Sequence, residues 1–219
     1  HGHDMAIVNG IGRIGFMKGG GKALWQDENI ADSITVRATD FMKNSTEQPF
    51  FLYFATNDIH VPRFPHSRFR GQSSMGLRGD AILQFDWCVG EIVRVLKEMG
   101  VYENTIIILS SDNGGVLDDG DDDQAETLAK DHRPAGPHRG MKYSGFDGGT
   151  AVPFIVSWPN HTPKKMKSEA LVSQIDFVAS FASLLNIRLP KGSAPDSQNH
   201  ISTWIGENQE SRPWIVQQG

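Results

Sequence analysis

Four residues in three loops have the types and settings to do chemistry together. They are His60 in "NDIHVP", Asp112 and Asn113 in "LSSDNGG", and Lys142 in "GMKYSGFDGG". Asp112 and Asn113 offer side-chain oxygens, which suit a hard divalent cation such as calcium or magnesium better than zinc. Lys142 brings a fixed positive charge, and with the cation it would neutralise the nonbridging oxygens of a tetrahedral oxyanion. His60 could protonate a departing ester oxygen. Each residue also has a plainer reading. Asp, Asn and Gly favour turns, so 112–115 could open a turn and nothing more. His60 alone could be a hydrogen-bonded structural histidine, and Lys142 alone a solvated surface charge. The set lacks a nucleophile: no serine or threonine in these loops has a persuasive setting, and Cys88 falls within a helical pattern.

The elements that must carry these loops alternate. Ile30, Ile34, Ala38 and Phe41 recur at helical spacing and predict a helix over 27–44. Gln48-Pro49 ends it, and "FFLYFAT" (50–56) reads as an apolar, aromatic-rich strand that delivers His60. A polar loop rich in proline and arginine covers 57–79. Ile82, Phe85, Val89, Ile92, Leu96 and Met99 then predict a helix over 80–99, with Asp80 as N-cap and Gly100 just past its end. Cys88 inside it reads as a small buried apolar residue. A buried strand over 105–111 ends at Asp112, and a second over 152–158 follows the Lys142 loop. A helix over 171–185 buries Leu171, Val172, Ile175, Val178, Phe181, Ala182 and Leu185, and "RPWIVQQG" reads as a last strand. Apolar strands alternating with amphipathic helices predict an α/β fold with a largely parallel sheet flanked by helices. In such folds ligands sit at the carboxyl ends of strands, where Asp112 and Asn113 stand.

Between strands 105–111 and 152–158 lies a long irregular segment with at most a short helix near 124–130. Segments of this kind inside a domain are usually functional or disordered. The segment holds the acidic run "LDDGDDDQ", which lacks the closing glutamate of an EF-hand loop and reads as a solvated acidic loop. The net charge of −5 gives no nucleic-acid footprint. No apolar run reaches the ~20 residues of a membrane span. A single cysteine excludes an internal disulfide and a cysteine-rich metal site.

Four blocks, in order and spacing, carry a resemblance: "PFFLYFATNDIHVP", "GDAILQFDWCVGEIVRVLKEMGVYENTIIILSSDNGG", "GMKYSGFDGGTAVPFIVSWP" and "VSQIDFVASFASLL". Together they resemble successive segments of the formylglycine-dependent, arylsulfatase-like sulfatases of the alkaline-phosphatase superfamily, with the flavour of bacterial enzymes acting on sulfated sugars. The resemblance implies an α/β alkaline-phosphatase-like fold and hydrolysis of carbohydrate or aryl sulfate esters. It implies that Asp112 and Asn113 are calcium ligands, that His60 contacts the sulfate and serves the leaving group, and that Lys142 contacts sulfate oxygens near the ester bridge. A periplasmic or secreted bacterial location goes with it.

The departures are specific. The family's nucleophile is a formylglycine made within C/S-x-P-S-R; no such motif occurs in the 219 residues, and Cys88 in "WCVGE" does not replace it. The family's amino-terminal aspartate pair, motif arginine, upstream lysine-histidine pair and carboxyl-terminal small antiparallel sheet are also missing. Asp147 stands where glutamate is usual and Ala151 where a basic residue is common. Residues 1–219 therefore read as a partial catalytic domain, incomplete at both ends and inactive alone. Two rivals remain at this level: a phosphohydrolase of the same superfamily, and a non-catalytic module binding sulfated glycans through His60 and Lys142.

Overall fold

The computed structural model describes residues 6–7, 14–15 and 26–217. They form two compact units, one of the described residues up to 101 with 116–136 and the other of 102–115 with 137–217.

In the first unit, β1 (Ala6–Ile7) and β2 (Ile14–Gly15) pair antiparallel. Helix α1 (Ile30–Lys43) follows a 3-10 turn over Asp27–Asn29, so the predicted helix is present. Its inner face is not the predicted one. Ala31, Thr35, Ala38, Thr39 and Met42 are buried, whereas Phe41 is exposed. Small residues let α1 lie close against α2 (Gly76–Glu98), the longest helix. Helix α2 starts four residues before the predicted N-cap, which places Asp80 inside it. There the buried Asp80 carboxylate accepts the backbone N–H groups of Gly71 and Ser73, both at 2.8 Å. The polar loop is thus tied to the helix rather than the helix to a cap. Residues 81, 84, 88, 95 and 96 form the buried stripe of α2, and of the expected apolar face only Leu96 belongs to it. Cys88 is fully buried, and burial pushes its thiol up to about 11, so it is an inert packing residue. The end of α2 is as predicted: Gly100 has φ +70°, its N–H bonds Lys97 O, and Val101 N–H bonds Leu96 O. That pair of bonds is the Schellman arrangement. A short α3 (Ala125–Ala129) completes the unit.

Residues 50–56 are not a strand. They belong to no ladder among the described residues, and Phe51 and Tyr53 are largely exposed. Apolar composition gives a segment the propensity to extend, but a strand also needs a backbone partner in register.

In the second unit, β3 (Ile107–Ser110) and β4 (Phe154–Ser157) pair antiparallel, with Ile107 opposite Ser157 and Ser110 opposite Phe154. Strand β3 is half-buried along its length rather than buried. The largely parallel sheet is not formed among the described residues, where both pairings are antiparallel. A one-turn helix, α4 (Asp147–Thr150), precedes β4. The predicted helix over 171–185 begins late. Ser173 and Asp176 form a capping box around a 3-10 turn, and α5 runs over Phe177–Leu184. Ile175, Val178 and Leu185 of the expected inner face are exposed. The core here is aromatic: Phe154, Phe177, Phe181 and Trp204, the last on α6 (Ile201–Trp204), meet at centroid distances of 5.5–6.0 Å. Residues 212–217 form no strand.

One buried ion pair fixes the start of α5. Asp176, fully buried, accepts two bonds from Arg212 Nε and one from Nη2, together with the N–H groups of Ser173 and Gln198. Burial alone would raise the Asp176 carboxyl. The guanidinium and the two N–H donors outweigh it and hold the group below the ordinary range. Breaking a buried pair from one side leaves a charge without compensation. Asp176→Ala is therefore expected to lower unfolding free energy by about 3–5 kcal/mol in chemical denaturation, and adding Arg212→Met should recover part of that loss.

Candidate active site

His60 lies in the first unit. Its backbone N–H bonds the Asn57 carbonyl at 2.9 Å, and its ring Nδ1 is 2.7 Å from the Val61 carbonyl oxygen. A carbonyl can only accept, so Nδ1 carries a hydrogen and Nε2 is the nitrogen at which a proton is gained or lost. The side chain is exposed. Beside it, Asp27, Asn57, Asp58, Pro62 and Phe64 line a pocket with about 10 Å³ of room, enough for one water and too small for a sugar.

The loop around His60 is held from two sides. From α2, the buried Gln84 side chain donates to Asp58 Oδ1 at 3.0 Å and accepts the His66 N–H at 2.8 Å. From the acidic segment, Asp119 and Asp123 bind the guanidinium of Arg63, which is 2% exposed. Asp123 also accepts the N–H of Ala125 at the start of α3. The acidic run is thus not simply solvated: Asp118 and Asp122 face water, but Asp119 and Asp123 are buried counter-ions. Arg78, buried nearby, donates to the Val116 carbonyl at 2.8 Å. Burial, then repulsion from Arg63, lowers the Arg78 pKa, while Asp119 and Asp123 oppose that shift.

Asp112, Asn113 and Lys142 lie in the second unit. The β3–β4 register places residues 111–115 beside the glycine-rich stretch before β4. Gly114 N–H bonds Gly149 O at 2.9 Å, Lys142 N–H bonds Gly115 O at 3.3 Å, and Gly148 N–H bonds Arg139 O at 2.7 Å. The backbones pass so closely that a Cβ on residue 114 would sit 2.0 Å from Gly148 O, and one on residue 148 would sit 2.2 Å from Gly140 O. Only glycine fits this seam, and the seam brings the Lys142 loop against the Asp112–Asn113 loop.

Within it, Asp112 Oδ1 accepts the Asn113 N–H at 3.0 Å, and the Asn113 amide nitrogen donates to Gly114 O at 3.0 Å. The amide of Gln174, in the capped turn before α5, donates to Ser110 Oγ at 2.8 Å and to Ser111 O at 2.6 Å, steadying the chain that leads into Asp112. Lys142 is half-buried with Nζ 5.3 Å from the Tyr143 ring centroid. Asp112 and Asn113 fit calcium in kind, since both supply oxygen, and the Asn113 amide is turned so that Oδ1 remains an acceptor. They do not fit it in number. Calcium takes six to eight oxygens, and the described residues hold no group of three or more His, Cys, Asp or Glu able to bind a metal.

Sequence reasoning named His60, Asp112, Asn113 and Lys142 as candidates and missed the side chains that hold their loops: Gln84, Arg63 with Asp119 and Asp123, and Gln174. An arginine between prolines in "VPRFP" and an unusually dense acidic run were the only signals.

In the second unit an antiparallel strand pair, packed through Phe154 on Phe177 of α5, sends two polar loops from one strand end, and comparison places that arrangement in a family. Residues 13–187 match the Sulfatase family profile, so the chain belongs to the sulfatase family. Over 217 residues it is 53% identical to an N-acetylgalactosamine-6-O-sulfatase of Bacteroides thetaiotaomicron, covering 99% of this chain and 42% of that protein. It is 30% identical to the N-acetylgalactosamine-6-sulfatase of Sus scrofa over 195 residues, 88% of this chain and 36% of that one. A solved 6S-sulfatase from work on glycosaminoglycan metabolism by Bacteroides thetaiotaomicron superposes with a TM-score of 0.88 at 53% identity, covering 94% of this chain and 43% of that chain. A sulfatase from Pseudoalteromonas sp. superposes with a TM-score of 0.76 at 26% identity, covering 87% and 37%. The fold is the α/β alkaline-phosphatase-like one of these sulfatases, and the chain spans less than half the length of these relatives.

Asp58 gives the His60 loop a pH dependence. Burial, opposed by the Gln84 hydrogen bond, raises its carboxyl from 3.8 to about 6. Between those values the folded protein holds a proton that the unfolded chain has lost, so stability falls as pH rises from about 4 to about 6. Asp58→Asn keeps an oxygen for Gln84 and should flatten that slope, which is worth at most about 2–3 kcal/mol. Denaturation midpoints of the complete protein across this window measure it.

Proposed function

We propose that this chain is part of a catalytic domain that hydrolyses carbohydrate sulfate esters, with an N-acetylgalactosamine 6-sulfate unit as the first substrate to test. The observation that carries the reading is the glycine seam, which sets a lysine loop against an oxygen-ligand pair; the 53% identity to an N-acetylgalactosamine-6-O-sulfatase supports the substrate class. On this reading Asp112 and Asn113 hold calcium together with ligands outside the pair, and Lys142 neutralises negative charge on the sulfate. His60, with Nδ1 committed to Val61, delivers its Nε2 proton to the leaving oxygen. A calcium ion and a formylglycine, where the complete protein carries them, supply charge neutralisation and the nucleophile. Residues 1–219 stand as one partial domain. A periplasmic or secreted location belongs to the same reading, because sulfated glycans are large polyanions that do not cross a bilayer unaided.

The 219-residue chain, which contains no C/S-x-P-S-R segment, should not turn over an aryl sulfate, since charge neutralisation and acid catalysis do not replace a nucleophile. Turnover that disappears with Lys142→Ala would contradict this, whereas affinity for sulfated oligosaccharides without turnover in the complete protein would favour a binding module. In an active complete protein, Lys142→Ala should lose several kcal/mol of transition-state stabilisation, about 2.7–4, on every sulfate ester. His60→Ala should instead cost about 10²–10⁴-fold on a sugar sulfate and far less on nitrophenyl sulfate, whose phenolate leaves without a proton. Comparing the two losses on the two substrates is the decisive measurement.

A further inference from the structure

Arg63 stands three residues after His60, and its side chain makes three contacts in different directions. Nε donates to the Ile59 carbonyl at 3.1 Å, Nη1 donates to Asp123 Oδ2 at 2.7 Å, and Nη2 donates to Asp119 Oδ2. The Ile59 carbonyl belongs to the same peptide group as the His60 N–H, which bonds Asn57 O. Both polar atoms of that one peptide are therefore occupied, one by Arg63 and one by the chain itself. A peptide group is planar, so fixing both ends fixes its orientation and the direction in which the next Cα projects its side chain. The imidazole is then aligned by its own bond to Val61.

We propose that Arg63 is a positioning residue for His60, and that Asp119 and Asp123 of the acidic run are retained to aim its guanidinium at the Ile59 carbonyl. The proposal rests on His60 acting as proton donor to the leaving group. The cluster is better explained as a device for geometry than as a source of stability. Two carboxylates and two guanidinium groups, those of Arg63 and Arg78, are buried together, and buried charge clusters often contribute no more stability than apolar residues of the same volume. The task also calls for an arginine. Its rigid fork offers Nε and both Nη groups in one plane, whereas a lysine ammonium is a single point that cannot serve two carboxylates and the carbonyl behind them.

The test uses the complete protein carrying Arg63→Lys, with two readouts. The first is the ¹⁵N shift pattern of the His60 ring, which should move from a dominant Nδ1–H tautomer towards a mixture. The second is kinetic. On a sugar sulfate, kcat should fall roughly 10–100-fold with little change in KM, because a misplaced proton donor loses part of a 10²–10⁴-fold contribution. On nitrophenyl sulfate the fall should stay within about threefold. If the lysine variant does not fold, Arg63→Met with Asp119→Asn keeps the cluster neutral, with Arg78 facing Asp123, and is read in the same two ways. An unchanged His60 ¹⁵N pattern in a folded variant, or equal losses on both substrates with wild-type leaving-group selectivity in place, would overturn the proposal. Should His60→Ala itself cost the same on both substrates, the proton-donor reading fails, and the ring tautomer alone then decides whether Arg63 holds His60.

Discussion

The constraint on which the second unit's loops depend is backbone lying on backbone. At Gly114 the chain leaving β3 passes within hydrogen-bonding distance of Gly149, with no room on either side for a single methyl group. Everything proposed for Asp112, Asn113 and Lys142 depends on that approach. A cation ligand and an anion-binding lysine serve one substrate only if their loops are adjacent, and here adjacency comes from main-chain bonds rather than from the reactive side chains themselves. The glycines that permit the approach occur both after the Asp-Asn pair and before β4, so the seam is written twice in the sequence.

The first unit solves its problem differently. Its loop of residues 57–75 is too polar to pack by apolar burial, and it is anchored instead by buried polar side chains. Asp80 and Gln84, one helical turn apart on α2, take up backbone N–H groups and the Asp58 carboxyl, and Arg63 joins the loop to the acidic segment. Such an arrangement is demanding, since each buried polar atom needs a partner, but it specifies one conformation more sharply than apolar contact does. On the proposed reading, in which this loop presents His60 to a leaving group, that sharpness is an advantage.

The second unit combines the two strategies. Phe154, Phe177, Phe181 and Trp204 supply a small aromatic core, and the Asp176–Arg212 pair sets the turn in which Gln174 stands. Gln174 in turn braces Ser110 and Ser111 immediately before Asp112. A path of hydrogen bonds thus runs from a buried ion pair to the candidate ligand loop without leaving the unit.

The sequence by itself determined the main helices and the residue types of a candidate site. Helical spacing located α1 and α2, the glycine after Met99 marked the end of α2, and the types of His60, Asp112, Asn113 and Lys142 indicated an oxyanion site. These follow from short-range rules, because periodicity and capping are properties of a few neighbouring residues. The tertiary structure decided which faces are buried and which charges meet. Helix α1 turns Ala31, Ala38 and Met42 inward and leaves Phe41 exposed, because close packing on α2 favours small side chains over the most apolar ones. Residues 50–56 have strand composition and no ladder, because pairing belongs to two segments and composition to one. Asp119 and Asp123 looked like solvated charges until Arg63, 56 and 60 residues away, closed on them. Contacts at that separation leave no trace in spacing, since their partners are chosen by the fold.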